Sequence, residues 1–362
     1  MTGRERAIKA MNFEATDRLP IMANGISAQF VQWLLGVSEE DYWANQRERH
    51  YEAMRRLGQD FHIQMWFPPR EKKKKWSSGQ EEQFGENVDA VLAEMEKAIE
   101  ARTLAASELN ANREMRIKEI MDFQVEVQAD LGEEILWIFG MDSHGAGIVG
   151  LDYGRFGYEG YFMAVALAPD LVSEYIGAAA KNSRIHNECV VEAAKRLNWP
   201  RIAYTGTDMT TQRSNMVDPK TMDKIYFPHL DYCLQPLVEN DFKVIWHSDG
   251  YMNDMVPPLI DIGVAGFQGF QEECGTKITE VAKLRNRNGD PLILWGSCSV
   301  LEVIRVGDFD DIRREVQRVL DEWPHPGLCL ATPTYLDEGV PNENIMEFYR
   351  LCREMGTVQR SL

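Results

Sequence analysis

The sequence predicts an α/β fold, a (β/α)8 TIM barrel carrying a helical insertion, and three observations predict it. Eight short, apolar, β-favouring runs recur along the chain, at 19–23, 61–67, 135–141, 201–205, 244–246, 264–270, 292–295 and 328–332. Helical stretches separate the later runs, notably 219–240, 253–262 and 308–323, and strand–helix alternation is the pattern of a parallel sheet covered by helices. Several runs end in polar residues: Gly206-Thr207-Asp208, His247-Ser248-Asp249-Gly250, Gln271-Glu272-Glu273 and Gly296-Ser297-Cys298. The carboxyl ends of parallel strands are where such folds assemble their sites.

In order, a short helix over 2–12 leads through Asp17-Arg18 into the first run, 19–23. A helical stretch presenting Phe30, Trp33 and Leu34 on one face follows, then another over 51–57. The second run, 61–67, stops at Pro68-Pro69, which cannot continue a ladder. Residues 80–133 are charged and helical in pattern, with Val88, Leu92, Met95 and Ile99 at 3.6-residue spacing. No linker rich in Gly, Ser or Pro frees this stretch, so 70–134 is expected as a helical insertion within a single domain spanning 1–362. The third run, 135–141, opens into a Gly-rich loop over 142–157 and a helix over 172–195. The fifth, Lys243-Val244-Ile245-Trp246-His247, reads as a strand buried on both faces. His247 and Asp249 are two apart and share one side of an extended chain.

The formal charge of −18 (39 Lys and Arg against 57 Asp and Glu) argues against nonspecific binding to nucleic acid or anionic membranes. Lys72-Lys73-Lys74-Lys75 is the one basic cluster and reads as a solvated face. Six scattered cysteines without a Cys-x-x-Cys pair are expected as reduced thiols in a cytoplasmic protein. No apolar run of about 18 residues is present to span a membrane.

Thr2-Gly3-Arg4-Glu5-Arg6 followed by Asp17-Arg18-Leu19-Pro20 resembles the opening of the uroporphyrinogen decarboxylase superfamily. Gly206-Thr207-Asp208, Val217-Asp218-Pro219 and His247-Ser248-Asp249-Gly250 resemble its middle, in order. Leu294-Trp295-Gly296, the stretch 308–316 and Pro341-Asn342-Glu343-Asn344-Ile345 resemble its last third. The resemblance covers nearly the whole chain except 70–134, and it too implies a TIM barrel. True decarboxylases of that superfamily carry an Arg-Gln-Ala-Gly-Arg segment after the first strand, which binds substrate carboxylates. Here the equivalent stretch, Met22-Ala23-Asn24-Gly25-Ile26-Ser27-Ala28-Gln29, holds no arginine, and a bidentate clamp is hard to replace. The resemblance therefore points to the other branch, the corrinoid-dependent methyltransferases. It implies an O-demethylase component moving a methyl group from a methoxylated, aromatic small molecule to cobalamin carried by a separate corrinoid protein. A uroporphyrinogen decarboxylase-like decarboxylase and a non-catalytic binding barrel are the alternatives.

Some members of that branch bind zinc through a His-x-Cys pair after the fifth strand and a later Cys. His247 matches the first ligand, Asp249 stands at the second, and the last falls at Thr334. The thiolate-rich pattern is absent, so thiol methylation is not expected. Ether cleavage needs the leaving oxygen protonated or held by a Lewis acid. His247, Asp249 and Asp208 are the expected catalytic groups, and His247, Asp249, Glu272 and Cys298 the expected zinc ligands. Asp142-Ser143-His144-Gly145-Ala146-Gly147 spells Asp-x-His-x-x-Gly, by which many corrinoid-binding domains offer a histidine to cobalt. The motifs that follow it in those domains are missing here, so His144 is expected to face the mouth rather than ligate cobalt. The substrate- or corrinoid-facing set is expected to be Asn24, Trp66, Met141, His144, Met209, Trp246, Phe267 and Tyr335. Aromatic and methionine side chains there suit a flat apolar ligand.

Overall fold

The computed structural model describes residues 1–65, 67–70, 84–85 and 87–357; Trp66 and the four lysines lie outside the described residues. Strands and helices mix in an α/β arrangement in which, among the described residues, every ladder between strands is parallel. β1 (Phe61–His62) pairs with β2 (Leu136–Trp137). The second sheet runs β3 (Ile202–Gly206), β4 (Lys243–His247), β5 (Gly266–Gln268), β6 (Ile293–Trp295) and β7 (Leu328–Cys329), in that order.

The predicted strand at 19–23 contracts to one bridge, Ile21 with Leu330. Its physical cause is local: Pro20 has no N–H to donate, and the Ile21 N–H is taken by the Asp60 carboxylate at 2.7 Å. The predicted strands at 61–67 and 135–141 keep two laddered residues each, although Phe139 also bridges to Ala203. Asp60 explains the opening motif of the sequence. Its buried carboxylate accepts from Arg6 at 2.5 Å and from Arg18 at 2.7 and 3.0 Å, fastening the N-terminal helix Gly3–Met11 beside β1. A side chain at Gly3 would stand 2.2 Å from the Glu134 carbonyl oxygen, so only glycine fits there.

Alternation along the strands sorts side chains into two cores. Ile202, Tyr204, Ile245, Ile293, Trp295 and Cys329 share one buried cluster with Phe61, Leu136 and Met22. Ala203, Val244, Trp246, Phe267, Leu294 and Leu328 face the other way, into a larger cluster built with the helices. The helices Val88–Ala111 and Arg113–Leu131 pack against Pro169–Leu197. The fully buried line of the first is Val91, Met95 and Ala98; Val88, Leu92 and Ile99 flank it partly buried, so the stripe is turned from the one expected. Among the described residues no single helix is long and apolar enough to cross a membrane.

Candidate functional site

β3 and β4 lie in register with Gly206 opposite His247. A Cβ on Gly206 would sit 2.0 Å from the His247 carbonyl oxygen, so the glycine is what lets the two strand ends approach. Asp208 and Asp249 follow in the loops, linked by the Asp249 N–H donating to Asp208 Oδ1 at 3.0 Å. Ser248 Oγ accepts from the Met209 N–H at 3.3 Å, tying the same two loops. Gly250 holds φ at +92° where a side chain would strike the Thr211 carbonyl, and its N–H donates to Gln271 at 2.9 Å. The chain after β4 is thus pinned on both sides.

This pinning gathers Asp208, His247 and Asp249, each half-buried, with one ligand atom apiece within 4.8 Å of one another. Burial pushes the Asp249 carboxyl above its ordinary range and the Asp208 carboxylate adds to that, while His247 pulls the other way. His247 Nδ1 is buried without a hydrogen-bond partner. One imidazole nitrogen and two carboxylate oxygens form a donor set that zinc accepts. The unpartnered Nδ1 fits such an ion, or a proton shared with a ligand. The three side chains can therefore hold a divalent metal or serve acid–base chemistry.

Beside the cluster lies a cavity of about 360 Å³, lined by Asn24, Gln64, Met141, Tyr153, Tyr204, Gly206, Thr207, Asp208 and His247. Gln64 Nε2 donates to the Asn24 carbonyl at 2.8 Å and to its Oδ1 at 3.2 Å. The Tyr204 hydroxyl donates to Gln268 Oε1 at 3.1 Å, and its ring stacks on Trp295. Burial, with Asp249 and Asp208 nearby, raises the Tyr204 phenol far above its ordinary value, so it stays neutral.

Of the residues expected at the site, Asp208, His247, Asn24 and Met141 line this cavity, and Asp249 joins through the cluster. Glu272 and Cys298 do not enter it. The Glu272 carboxylate accepts from Arg318 at 2.9 Å and from the Ile278 N–H at 3.1 Å. Cys298 is fully buried in the helix-side core, where burial holds its thiol protonated. Trp246 and Phe267 also point into that core: on β4, His247 and Ile245 face one way and Trp246 the other, and Phe267 pairs with Trp246 across the sheet. Met209 belongs to the same core, and Tyr335 lies near Tyr42 and Glu338 rather than on the cavity wall. His144 stacks on Phe123 of the helix Arg113–Leu131, 4.3 Å between centroids. Trp66 lies outside the described residues.

Gln64, Tyr153 and Tyr204 are the wall residues that sequence reasoning passed over, while Gly206 and Thr207 stood in a strand-end motif without an assigned role. For Tyr204 a signal existed, since it stands two before Gly206, on the side that Gly206 shares with its partner His247. A larger cavity, about 530 Å³, lies among the helices and includes Arg116, Ser143 and His186. Its histidine is committed to structure: Nε2 donates to the Gly145 carbonyl at 2.8 Å, and Nδ1 accepts from Arg116 at 3.3 Å.

Neither a protein-family model nor a curated protein matches the sequence. Among solved structures the chain is similar to a methyltransferase from Methanosarcina mazei, with a TM-score of 0.62 and 14% identity over 98% of this chain and 99% of that one. At that identity the likeness is one of fold.

Proposed function

We propose that this chain is a corrinoid-dependent methyltransferase, the O-demethylase component that takes a methyl group from a methoxylated aromatic small molecule. The observation that carries the reading is the Asp208, His247 and Asp249 cluster beside the cavity at the strand ends. The fold it shares with a methyltransferase supports it. Ether cleavage leaves an oxygen that needs a proton or a Lewis acid, and the cluster offers groups for either. In the protonic form His247 gives its proton to the departing phenolic oxygen while the two carboxylates stabilise the imidazolium. Zinc, when bound, would be held by the same three side chains and would supply Lewis-acid stabilisation of that oxygen. Cobalamin supplies the nucleophile for the methyl group. A cavity of about 360 Å³ is the size of a small molecule's site, so the corrinoid is assigned to a separate partner protein presented at the mouth.

The fold is part of the proposal. The bridges Ile21 to Leu330 and Phe139 to Ala203, with the Asp60 N–H donating to the Ile21 carbonyl at 2.9 Å, support closure of the strands into a (β/α)8 barrel. The large buried cluster that includes Val91 and Met95 as well as Val244 and Leu294 supports one domain, with 70–134 as an insertion. Reduced cysteines and the lack of a spanning helix among the described residues favour the cytoplasm.

Incubation with reduced cobalamin and a panel of methoxyarenes tests the activity. Methyl transfer read from the cobalamin spectrum, with release of the demethylated phenol, is the expected result. Carbon dioxide release from a carboxylated substrate, or binding of methoxyarenes with no turnover, would overturn it.

A further inference from the structure

Asp208, His247 and Asp249 come together although two of the three side chains carry like charge. Carboxylates this close repel one another, so the chain behind them has to be held. For Asp249 the hold is on the backbone, at both ends of the residue. Its N–H donates to Asp208 Oδ1 at 3.0 Å, which leaves the second Asp208 oxygen for a ligand. Its carbonyl accepts from Thr210 Oγ1 at 2.8 Å and, over a longer and weaker contact, from Ser248 Oγ at 3.2 Å. Thr210 is buried and stands on a short antiparallel turn-back of the chain over 209–216, bridged from Thr210 to Asn215. Within it the Met216 N–H donates to the Met209 carbonyl at 3.0 Å, and the Thr211 N–H to the Ser214 carbonyl at 2.7 Å. Two further bonds fasten the turn-back to the loop after β4. The Tyr251 N–H donates to the Thr211 carbonyl at 2.9 Å, and Asn215 Nδ2 donates to Asp254 Oδ2 at 2.8 Å. Gly250 permits the close approach, since a Cβ there would stand 2.7 Å from Thr210 Oγ1.

From this clamp we propose that Thr210 is a positioning residue of the cluster. Its hydroxyl, by holding the Asp249 carbonyl, keeps the Asp249 carboxylate where one divalent ion can be shared with Asp208 and His247. The proposal rests on the reading of the cluster as a metal site and is independent of the methyl donor. Thr210 acts through Asp249 and is not itself a ligand. Groups that orient a ligand from behind are worth about 10- to 100-fold in metal affinity. The same loop supplies an internal comparison. Thr276 Oγ1 accepts from the Met252 N–H at 2.7 Å, a buried hydroxyl-to-backbone bond of the same kind that ends on a residue outside the cluster. If tightness of the loop alone governed metal binding, the two threonines would matter equally. If the aim of the Asp249 carboxylate governs it, only Thr210 matters.

Calorimetric titration of the metal-free, full-length chain with zinc separates the two. Thr210→Val, which keeps the shape and loses the hydroxyl, is expected to weaken zinc binding about tenfold or more. Thr210→Ser, which keeps the hydroxyl, is expected to bind zinc close to the wild-type value, and so is Thr276→Val. Thermal unfolding checks each variant, and Thr210→Ala carries the comparison if the valine variant does not fold. Wild-type zinc affinity in Thr210→Val, failure of the serine to restore binding, an equal loss in Thr276→Val, or no zinc binding by the wild type overturns the proposal. Methyl transfer to cobalamin by the wild type, measured separately, tests the demethylase reading. Its absence beside the expected zinc pattern strikes that reading and leaves the role of Thr210 standing. Its presence beside an unaltered Thr210→Val titration strikes only the role of Thr210.

Discussion

His247 holds one ring nitrogen, Nδ1, in a buried position without a partner, a condition that costs about 1–3 kcal/mol when nothing fills it. Structures retain such groups where a ligand, ion or proton completes them. His247→Gln removes the titrating nitrogen but keeps much of the volume, and the side chain stands at a strand end rather than in the core. Turnover is expected to fall about 10² to 10⁴-fold, the usual consequence of losing a general acid, with the unfolding temperature close to wild type. The loss should shrink for methoxyarenes whose phenols are more acidic, because their leaving oxygens need less protonation. Turnover across donors of graded phenol pKa measures this, and an equal loss for every donor would leave His247 only a positioning role. The residue scale also shows how alternation misleads when only proximity to a strand end is considered. Trp246 adjoins His247 in sequence yet lies in the helix-side core, because neighbours on a strand face opposite ways.

At the scale of elements, the approach of β3 and β4 decides whether the site exists. Gly206→Ala would drive a methyl group into the backbone of His247, within 2.0 Å of its carbonyl oxygen, and backbone there cannot swing aside as a side chain would. The variant is expected to lose about 1–3 kcal/mol or more through overpacking and to lose arene affinity as well. Chemical denaturation with arene titration checks both, and unchanged affinity would show that strand separation does not position the cluster. Much of this level was legible in the sequence. The later strands lie where the apolar runs put them, because central parallel strands announce themselves by unbroken β-favouring runs. The motifs that carry the family resemblance divide by role. Asp218 caps the helix Pro219–Ile225, Asp308 caps Phe309–Glu322, and Asn344 donates to the carbonyls of Ile304 and Gly307. Only Gly206-Thr207-Asp208 and His247-Ser248-Asp249-Gly250 build the cluster and its wall. The early strands were over-read, since Asp60 and Pro20 divert ladder bonds that composition cannot reveal. The displacement of Glu272 was illegible for a similar reason: its partner Arg318 is far along the chain.

Across the whole molecule, burial of ionisable groups sets the response to acid. His50 and His62 are buried and His186 is partly buried, and burial lowers them to about 4, about 3 and about 4. Each stays neutral in the native state below the pH at which the unfolded chain charges its histidines, near 6.5. Between those values the unfolded state binds protons that the native state refuses, so their contribution is intact above about 6.5 and is lost as pH falls. A partly buried acid opposes this: burial raises Asp142 to about 6, so its native state holds a proton more tightly and gains stability as pH falls toward the ordinary carboxyl range. His62 isolates the histidine effect. Its ring packs on Tyr51 and Trp137, and Nε2 has no hydrogen-bond partner, so phenylalanine can take its place with little loss of packing. At pH 7 His62→Phe should match or slightly exceed wild-type stability, because a neutral ring with an unfilled nitrogen is exchanged for one without it. Below pH 6.5 its advantage should grow by up to about 1.4 kcal/mol per pH unit, until the native histidine itself takes a proton. Urea midpoints of the two proteins at pH 7, 5 and 4 measure the divergence. Parallel acid losses would mean that His62 already carries its proton in the folded state and that its burial is relieved by movement of the surrounding helices.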